Sequence, residues 1–358
     1  MMKTTTLYDV ARAAGVSYQT VSRVINRAEH VSARTREKVQ RAMAELNYVP
    51  NRGAQLLAGK QLKTLGLVST DLALHAPSQI ASAVKTRAAE QGYTALIAMV
   101  TRNDEAECRA AIQELQAQRV EGLLINVPLE DDAAARLQAL AAPLPALFLD
   151  VGEAAPVNRL VFDARQGARL GVSHLASLGH QHIALLAGPL SSVSARARLE
   201  GWQQALAECG LTACAQAVGD WSAQSGYEKA HSLLAVSPRP QAILVANDQM
   251  ALGVLRACAE KGIRVPGQLS VVGYDDTTDS AWFSPPLTTV RQAFRHAGEQ
   301  SVDWLIARDR HRAACYQACL PVSLVVRDST AAHSDTTDDA LARSLQALAR
   351  QAARGDLR

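Results

Sequence analysis

Three side chains near the start of the chain, Tyr18, Gln19 and Arg23, offer hydrogen-bond donors and acceptors among small hydroxyl residues. Apolar residues around them recur at helical spacing, so one face of the segment packs while these three side chains point outward. The outer face is therefore a candidate recognition surface.

A second set of candidate residues follows the apolar runs further along the chain. Asn126, Asp150, Asn247 and Asp275 each stand at the end of such a run. In open parallel sheets, ligands bind beyond the carboxyl ends of the strands. We therefore predict that these amides and carboxylates face a common ligand site. Capping the following helix is the simpler role that each of them could also have.

Length and composition describe a protein with a large core and more than one domain. The chain has 358 residues, of which 48% are hydrophobic and 4% aromatic, and this excludes disordered and fibrous classes. The charge is uneven: residues 1–60 hold ten Lys and Arg against four Asp and Glu, whereas the remainder is slightly acidic. A basic head on an acidic body suggests a polyanionic partner for the head alone.

Several classes of site and location are not indicated. The chain shows neither a signal peptide nor an apolar run of membrane-spanning length, so we expect a cytoplasmic protein with no membrane partner. Its six cysteines lack CxxC or zinc-type spacing and are expected to be reduced structural thiols. There is no nucleophile motif, phosphate loop or dinucleotide fingerprint. We expect no cofactor, no metal and no catalytic residue.

The elements that position the first set of residues are predicted to be helices. Apolar spacing indicates a helix over Leu7–Ala14, a tight turn at Gly15 and a second helix from about Ser17, whose hydroxyl can cap it. A third helix is predicted from Ser32 to Leu46. This is a helix-turn-helix arrangement, and we assign it to residues 1–50.

The elements that position the second set alternate between strand and helix after residue 63. Short runs rich in Val, Ile and Leu, apolar on both faces and separated by amphipathic helices, indicate parallel sheets covered on both sides. The span is long for one sheet, so we expect two similar α/β lobes within residues 64–327. The predicted strands are Thr64–Thr70, Tyr93–Val100, Glu121–Val127, Pro145–Asp150, His182–Gly188, Gln241–Asp248 and Leu269–Asp276.

Seven stretches form an ordered set: TLYDVARAAGVSYQTVSRVIN, LNYVPNRGAQLLAGK, LALHAPSQI, LLAGPLSSVSAR, VANDQMALG, SVVGYDD and PPLTTVRQ. Together they resemble the bacterial family of sugar-responsive repressors, from about Thr6 to Arg327. The resemblance implies a helix-turn-helix head, a periplasmic-binding-protein-like core, and repression of a lactose-type operon that ends when a galactoside inducer binds. Response to a different sugar is the alternative. A sugar-transport receptor, or a glycosidase using Asp150 and Asp275, is more distant.

The resemblance assigns Tyr18, Gln19 and Arg23 to base reading in the major groove of operator DNA. Residues 51–63 resemble the family's hinge helix and linker, in which Leu57 would be a wedge in the minor groove. Helix capping and plain surface exposure are the simpler roles of the smaller polar residues. The residues assigned to the DNA backbone or the minor groove are Ser17, Thr20, Ser22, Asn26, His30, Ser32, Thr35, Asn51 and Leu57.

The same resemblance places a sugar site in the core. A sugar needs fixed polar partners for its hydroxyls and an apolar or aromatic face for its C–H side, and buried polar partners make selection sharp. Trp221 is the expected stacking plate, while a surface salt bridge is the favoured role for Arg196. Core packing is the simpler role of the aromatic members. The residues assigned to the inducer are Leu74, Ile80, Asn126, Asp150, Phe162, Arg198, Trp221, Asn247, Asp275, Gln292 and Phe294.

The end of the chain carries Leu341, Leu345 and Leu348 at the spacing of a heptad seam. The seam resembles the family's oligomerisation helix, which we assign to residues 340–358, after a flexible tether over residues 328–339. Because only three leucines support the seam, we expect a homodimer that associates weakly into a dimer of dimers.

Overall fold

A computed structural model describes residues 5–25, 31–49, 63–102, 104–307 and 315–333. The chain divides into two compact units, residues 1–63 and residues 64–358. The first unit is helical and the second is α/β.

Short local signals set the bounds of the helices in the first unit. Thr6 Oγ1 accepts a hydrogen bond from the Asp9 N–H, and the Asp9 carboxylate accepts one from the Thr6 N–H. This reciprocal pair is a capping box, and it satisfies two backbone N–H groups at the start of the first helix. Gly15 ends this helix with φ at 65°, so the chain can turn at once into the next one. The helices are α1 (Leu7–Ala14), α2 (Tyr18–Ile25) and α3 (Ala33–Glu45).

A small apolar core joins these three helices. It is formed by side chains that recur at helical spacing on each of them: Val10, Ala11, Val21, Val24, Val39 and Ala42. The predicted helix-turn-helix arrangement is therefore present, with Ser32 outside α3 as its N-cap. Residues 50–62, which include most of the predicted hinge, lie outside the described residues.

Strands and helices alternate along the second unit. Its strands are β1 (Thr64–Ser69), β2 (Thr94–Met99), β3 (Gly122–Asn126), β4 (Ala146–Phe148), β5 (Arg159–Phe162), β6 (Ile183–Ala187), β7 (Ala213–Val218), β8 (Ala242–Val245), β9 (Ser270–Asp275), β10 (Thr288–Arg291), β11 (Gln317–Leu320) and β12 (Ser323–Val325). Its helices are α4 (His75–Glu90), α5 (Glu105–Ala117), α6 (Asp131–Ala141), α7 (Ala164–Ser177), α8 (Val193–Glu208), α9 (Ala223–Leu233), α10 (Asp248–Glu260) and α11 (Phe294–Ile306), with a 3₁₀ turn at Ser280–Trp282.

The strands form two sheets, one in each lobe. The strand order is β11-β5-β4-β3-β1-β2 in the first lobe and β12-β10-β9-β8-β6-β7 in the second. Neighbouring strands are parallel apart from β12, which runs antiparallel to β10. The predicted pair of parallel-sheet lobes is thus confirmed, except that the sheet of the second lobe has one antiparallel strand, β12. Because β11 ends at the edge that faces the other lobe, β12 must start at that edge and run away from it.

Each of the seven predicted strands is present, but β5, β7, β10, β11 and β12 were not predicted. These strands are short or lie at sheet edges, and the β7 sequence ACAQAV lacks the run of large apolar residues that marks the central strands. Apolar runs therefore identify the middle of each sheet better than its margins.

The chain crosses between the lobes after β5, after β10 and after β11. The second crossing carries α11 back to the first lobe, where Phe294 and Ala297 pack with Ile80 and Val84 of α4 in one apolar core. The core of the second lobe contains the buried Trp202 and other large side chains. Three connections thus link two separately packed bodies, and a cleft lies between them.

Residues 328–333, predicted as the start of a flexible tether, instead bind the second lobe. Ser329 is fully buried; its hydroxyl donates to the Val271 carbonyl at 2.6 Å and accepts from the Thr288 N–H at 2.8 Å. The His333 N–H donates to the Leu178 carbonyl at 2.8 Å. The rest of the predicted tether and the helix assigned to residues 340–358, with Leu341, Leu345 and Leu348, lie outside the described residues.

Candidate functional site

The outer face of α2 presents the three side chains predicted to read bases. Tyr18, Gln19 and Arg23 are exposed, whereas Val21 and Val24 are buried in the head core. Arg23 follows Gln19 by one helical turn, so the two side chains are neighbours on the helix surface. The face can therefore offer hydrogen-bond donors and acceptors to a partner without disturbing the core.

Tyr8 belongs to the same face and was missed from the sequence. Its ring stacks on the Tyr18 ring, with centroids 4.8 Å apart and planes inclined by 24°, and the residue is 65% exposed. The stack orients the Tyr18 ring, so α1 also contributes to this surface. Helical spacing, which puts Tyr8 opposite the buried Val10, was the signal available in the sequence.

The small hydroxyl residues lie at the starts of α2 and α3. Ser17 Oγ accepts from the Thr20 N–H at 3.2 Å, and their two hydroxyls lie 2.9 Å apart. Ser32 and Thr35 repeat this arrangement at the start of α3, at 3.3 and 2.9 Å. These residues are caps, and they surround helix N-termini, where phosphate groups are favoured. Ser22 lies half-buried on α2. The other predicted contacts, Asn26, His30, Asn51 and Leu57, lie outside the described residues.

Two adjoining cavities occupy the cleft between the lobes, with volumes of about 570 and 510 Å³. They share Ala76, Asp150, Ser194 and Arg198. The smaller, which we call the Trp221 cavity, is lined by Leu74, Asp150, Arg198, Trp221, Asn247 and Asp275 of the predicted set. The larger, which we call the Phe162 cavity, is lined by Ile80, Asn126, Asp150, Phe162, Arg198, Gln292 and Phe294 of that set. The structure thus brings the predicted inducer residues together in one cleft.

The polar residues reach the cleft because parallel strands end there. Asn126 and Asp275 are the last residues of β3 and β9, and Asp150 follows β4 closely. Asn247 follows β8 and caps α10: its Oδ1 accepts from the Met250 N–H at 2.9 Å, while its Nδ2 donates to the Trp221 carbonyl at 3.0 Å. Asn247 therefore caps α10 and lines the Trp221 cavity at the same time.

Arg198 on α8 is the central cation of the cleft and is only 6% exposed. Its guanidinium donates to the Ala246 carbonyl through Nη1 and to Gln292 Oε1 through Nη2, the latter at 2.9 Å. Nη2 also lies 3.6 Å from Asp275 Oδ1. Nε of Arg198 and Oδ1 of Asp275 are buried without a hydrogen bond to the described residues. Both residues nevertheless line the Trp221 cavity with other atoms.

The backbone is strained where it enters the cleft. Asp275, Asp276 and Trp221 have φ values of 115°, 57° and 78°, a region that residues with a side chain rarely adopt. Each such residue costs about 1–3 kcal/mol and persists only where its surroundings hold it. The Asp276 carboxylate is held by Arg291 at 2.5 Å and Arg327 at 2.6 Å. These two arginines stabilise the turn that presents Asp275.

Asp248, at the first position of α10, supports the same turn and was missed from the sequence. It is fully buried, and its carboxylate accepts hydrogen bonds from the Thr277 N–H at 2.9 Å and from the hydroxyls of Ser280 and Thr289, each at 2.6 Å. Burial raises its pKa to about 6, although these bonds favour the charged form. An acid directly after Asn247 at the end of an apolar run was the available signal.

Two carboxyls that line the cavities also have raised pKa values. Burial raises the pKa of Asp275 to about 8, although the nearby Arg198 opposes this rise. Burial likewise raises the pKa of Asp150 to about 6, against the opposing effects of Arg198 and a hydrogen bond from Ser194. A protonated carboxyl can donate as well as accept a hydrogen bond, so Asp275 can serve a hydroxyl group in either sense.

An apolar wall faces these polar groups. The rings of Phe162 and Phe294 meet edge to face, with centroids 5.4 Å apart. Phe294 and Ile80 also belong to the core of the first lobe, so they pack the core and line the cavity together. Trp221 is half-buried in the cavity wall. Each cavity thus combines polar and aromatic side chains: Trp221 lines one with Asn247 and Asp275, and the two phenylalanines line the other with Asn126 and Gln292. Such a combination matches the two faces of a sugar ring.

The expected surface ion pair of Arg196 is present and joins the two lobes. Nη2 of Arg196 on α8 lies 2.5 Å from Glu130 Oε1, just before α6 of the first lobe. Nη1 of Arg196 donates to the Leu190 carbonyl at 2.7 Å within its own lobe. Arg196 also lines the Phe162 cavity.

The described part of the chain shows neither a metal site nor a membrane-spanning helix. Within it, no cluster of three His, Cys, Asp or Glu side chains could hold a metal ion. None of its helices is long and apolar enough to cross a membrane.

Two protein-family models match the chain. Residues 6–51 match the model for bacterial regulatory proteins of the lacI family. Residues 172–330 match the model for the periplasmic binding protein-like domain. The first match covers the helical head with the α2 face, and the second covers much of the second lobe with Arg198, Asn247 and Asp275.

Curated relatives resemble the chain over nearly its whole length. The lactose operon repressor of Escherichia coli K12 is 54% identical over 355 residues, which is 99% of each chain. The lactose operon repressor of Klebsiella pneumoniae is 47% identical over 327 residues, covering 91% of this chain and 92% of that one.

Solved structures share the fold of the whole chain. A lac repressor dimer bound to operator and the anti-inducer ONPF superimposes with a TM-score of 0.85 at 54% identity, covering 92% of this chain and 100% of the other. A complex of the transcriptional regulator CelR with cellobiose gives a TM-score of 0.67 at 32% identity, covering 91% of this chain and 99% of the other. The similarity thus includes proteins with either DNA or a sugar bound.

Proposed function

The chain belongs to the lacI family of bacterial regulatory proteins, and we propose that it represses a lactose-type operon until a galactoside binds its inter-lobe cleft. One observation carries the proposal: the 54% identity to the lactose operon repressor of E. coli extends over 99% of both chains, and so includes the recognition face of the head and the cleft together.

The head reads operator DNA through α2. A helix of this kind lies in the major groove, where every base pair presents a distinct pattern of donors and acceptors. Arg23 forks to guanine, Gln19 pairs with adenine, and Tyr18 adds a ring and a hydroxyl. A homodimer presents two such faces to the half-sites of a pseudo-palindromic operator. Residues 51–63 form the hinge, with Leu57 inserted in the minor groove.

The cleft binds the sugar through partners that are in place before it arrives. Arg198, Asp275 and Asn247 bond to ring hydroxyls on one side, and Trp221 stacks on the C–H face on the other. A sugar with a misplaced hydroxyl leaves one of these buried groups without a partner, which costs about 1–3 kcal/mol. The cleft therefore selects among sugars by hydroxyl pattern.

Coupling between the two sites depends on the lobes. A galactoside contacts both lobes, so it binds one relative arrangement of them more tightly than another. Such differences amount to about 1–3 kcal/mol for a linked pair of sites, and two sites act in each dimer. The arrangement favoured by the galactoside holds the two hinges apart and weakens operator binding.

The remaining assignments follow from the same proposal. The protein acts in the cytoplasm as a binding protein without enzymatic activity, since its curated relatives carry the name of repressors. Asp150 and Asp275 bind hydroxyls instead of acting as a glycosidase pair. Leu341, Leu345 and Leu348, which lie outside the described residues, join two dimers weakly into a tetramer.

Operator binding by fluorescence anisotropy tests both sites at once. A symmetric lactose-type operator and a scrambled duplex are titrated at physiological salt, each with and without isopropyl thiogalactoside. Tight binding to the operator alone, reversed by the galactoside, is the expected result. Release by cellobiose but by no galactoside would overturn the choice of inducer, and equal binding to both duplexes would overturn the role of the α2 face.

A further inference from the structure

Tyr274 stands directly behind the cation of the cleft. It is the residue before Asp275 in β9 and is fully buried. The Arg198 guanidinium lies over its ring, with Cζ 4.0 Å from the ring centroid. Tyr274 lines neither cavity, so it reaches a ligand only through Arg198.

The hydroxyl of Tyr274 makes no hydrogen bond of normal geometry to the described residues. This buried oxygen packs against Gly167 of α7, where a Cβ atom would lie only 2.0 Å from it. The close approach of α7 therefore requires glycine at this position. The contact of the ring face with the Arg198 guanidinium is thus the better-formed link between Tyr274 and the site.

The strained backbone of β9 gives Arg198 a second contact from the next residue. In a regular strand, consecutive side chains point to opposite faces, so Tyr274 and Asp275 should not reach the same group. Asp275 departs from this geometry with φ at 115°, and its Oδ1 lies 3.6 Å from Arg198 Nη2. The strand end therefore contacts both the face and the edge of one guanidinium.

These contacts hold the guanidinium from two sides. The carbonyl of Ala246 and the amide oxygen of Gln292 accept hydrogen bonds from its edge, while the Tyr274 ring packs against Cζ. A planar guanidinium donates only within its plane, so a tilt of that plane moves every remaining donor away from the ligand. Trp221, whose ring centroid is 5.6 Å from Cζ, is a more distant aromatic neighbour.

We propose that Tyr274 is a positioning residue of the ligand site, whose ring sets the plane of Arg198 and thereby determines the affinity for a ligand with adjacent hydroxyl groups. The inference about ligand affinity depends on the proposed function, whereas the inference about Arg198 does not. Because the ring acts and the hydroxyl does not, Tyr274→Phe preserves the site and Tyr274→Leu damages it.

The first measurement reports Arg198 without any ligand. Because the Arg198 guanidinium lies over an aromatic ring, the NMR signal of its Nε–H proton in full-length protein with labelled arginine is expected upfield of those of the other arginines. Tyr274→Phe keeps this shift, and Tyr274→Leu moves the signal back to the ordinary range; Arg198→Lys assigns the signal by its loss. An unshifted Arg198 signal in the wild-type protein, or a shift that persists in Tyr274→Leu, would overturn the proposal.

The second measurement is galactoside affinity, followed by calorimetry with isopropyl thiogalactoside. Tyr274→Phe is expected within about twofold of the wild-type affinity, and Tyr274→Leu is expected roughly tenfold weaker or more, a change of about 1.4 kcal/mol. Equal losses in both variants would assign the effect to the hydroxyl and contradict the role of the ring. No loss in either variant would contradict the proposal as well.

A matched variant separates positioning from packing. Tyr316 stacks on Trp304 in the first lobe, with ring centroids 5.4 Å apart and no contact to Arg198. Tyr316→Leu is expected to lower the urea midpoint while leaving galactoside affinity and the Arg198 signal unchanged. If the wild-type protein bound no galactoside, the proposed function would fail, and the NMR comparison would still decide the role of Tyr274.

Discussion

The two recognition regions of this chain meet their ligands in opposite ways. In the head, Tyr18, Gln19 and Arg23 stand exposed on a regular helix. In the cleft, Arg198 and Asp275 are each only 6% exposed, and the backbone around Asp275 is strained. DNA is larger than the head and can be read only by groups that reach outward. A sugar is small enough to be surrounded, so its partners are buried before it arrives.

Because of this difference, we expect substitutions in the head to change DNA affinity without changing folding stability, and substitutions in the cleft to change both ligand affinity and folding stability. An exposed side chain on α2 makes few contacts within the head, so replacing it changes DNA binding and little else. A buried side chain of the cleft holds other side chains in place, and replacing it changes ligand binding and the stability of the core together. Substitutions in each region test whether this separation holds.

The largest expected effect is that of Arg198→Lys. A lysine keeps the positive charge but loses the planar fork that bonds to Ala246, Gln292 and the ligand at once. If Arg198 binds the ligand as we propose, isopropyl thiogalactoside affinity should fall by about a hundredfold, equivalent to two lost charged hydrogen bonds of about 1.5 kcal/mol each. Calorimetry measures the affinity. Operator affinity without galactoside should remain within a few-fold of wild type.

Arg196→Lys, two residues earlier on α8, is the matched control. It makes the same chemical change at a position whose partner, Glu130, is 69% exposed in its side chain. The galactoside affinity of this variant should stay within about fivefold of the wild-type value. Similar losses in both variants would mean that burial is not what makes the cleft sensitive.

The next effect is that of Arg23→Ala in the head. Loss of a bidentate contact to a base costs about 1–3 kcal/mol, so operator affinity should fall roughly 5- to 150-fold, with relaxed selectivity at a single base pair. Galactoside affinity and the urea midpoint should not change, because Arg23 is exposed. Anisotropy with operators altered at one position measures both effects.

Arg41→Ala on α3 removes an exposed arginine of the same head and serves as the control. It should weaken binding to the operator and to a scrambled duplex by similar factors, since loss of a general charge carries no sequence preference. If Arg41→Ala changed sequence selectivity as much as Arg23→Ala, base reading would not be confined to the outer face of α2.

The head and the middle of each sheet could be predicted because their signals are local. The helical spacing of Val21 and Val24 identifies the buried side of α2, and apolar runs identify the central strands. The strand-end rule then places Asn126 and Asp275 in the cleft from the sequence alone. These predictions need no knowledge of what packs against each element.

The supporting contacts of the cleft could not be predicted because they join distant segments. Tyr274 reads as one more apolar residue of a strand, and only the approach of α7 at Gly167 shows where its ring lies. Asp248 reads as a helix-start acid, yet it binds Thr289, which follows 41 residues later. The prediction of a flexible tether from residue 328 was wrong at its start for the same reason. A polar sequence does not reveal that Ser329 is buried against β9 and β10.

A smaller effect is expected for each unit of pH, and it should arise in the core. Burial raises the pKa of Asp275 to about 8, above an ordinary aspartate value of about 3.9 in the unfolded chain. Between these values the folded state binds more protons than the unfolded state, so the free energy of unfolding falls as pH rises. A single carboxyl contributes at most about 1.4 kcal/mol per pH unit. Asp275→Asn should remove that contribution.

Urea unfolding between pH 5 and 8, followed by tryptophan fluorescence, measures the pH slope. All four tryptophans lie within the second unit, so the signal reports the core and not the head. Asp132→Asn, which removes an exposed carboxyl of α6, should leave the slope unchanged. An unchanged slope in Asp275→Asn would show that this carboxyl is charged in the folded protein throughout the range.

The smallest effect is expected from Glu130→Gln, which breaks the ion pair between the lobes. Exposed pairs are worth about 0.2–1 kcal/mol, so the balance between lobe arrangements should shift by less than about fivefold. Because the pair joins the two lobes beside the Phe162 cavity, the proposed movement of the lobes on galactoside binding would have to break it. We therefore expect Glu130→Gln to release operator at a lower galactoside concentration than wild type.

Salt and a double-mutant cycle distinguish this pair from the buried site. At about 1 M salt the Debye length is about 3 Å, so the difference between Glu130→Gln and wild type should vanish, whereas that of Arg198→Lys should persist. Glu130→Gln combined with Arg196→Gln should act no more strongly than either change alone, because each removes the same contact. Additive effects, or a higher galactoside requirement, would show that the pair does not oppose the movement of the lobes. An exposed ion pair of the core would then have as little influence on the core as an exposed arginine has on the head. The difference between the two regions would in that case depend on the burial of their side chains alone.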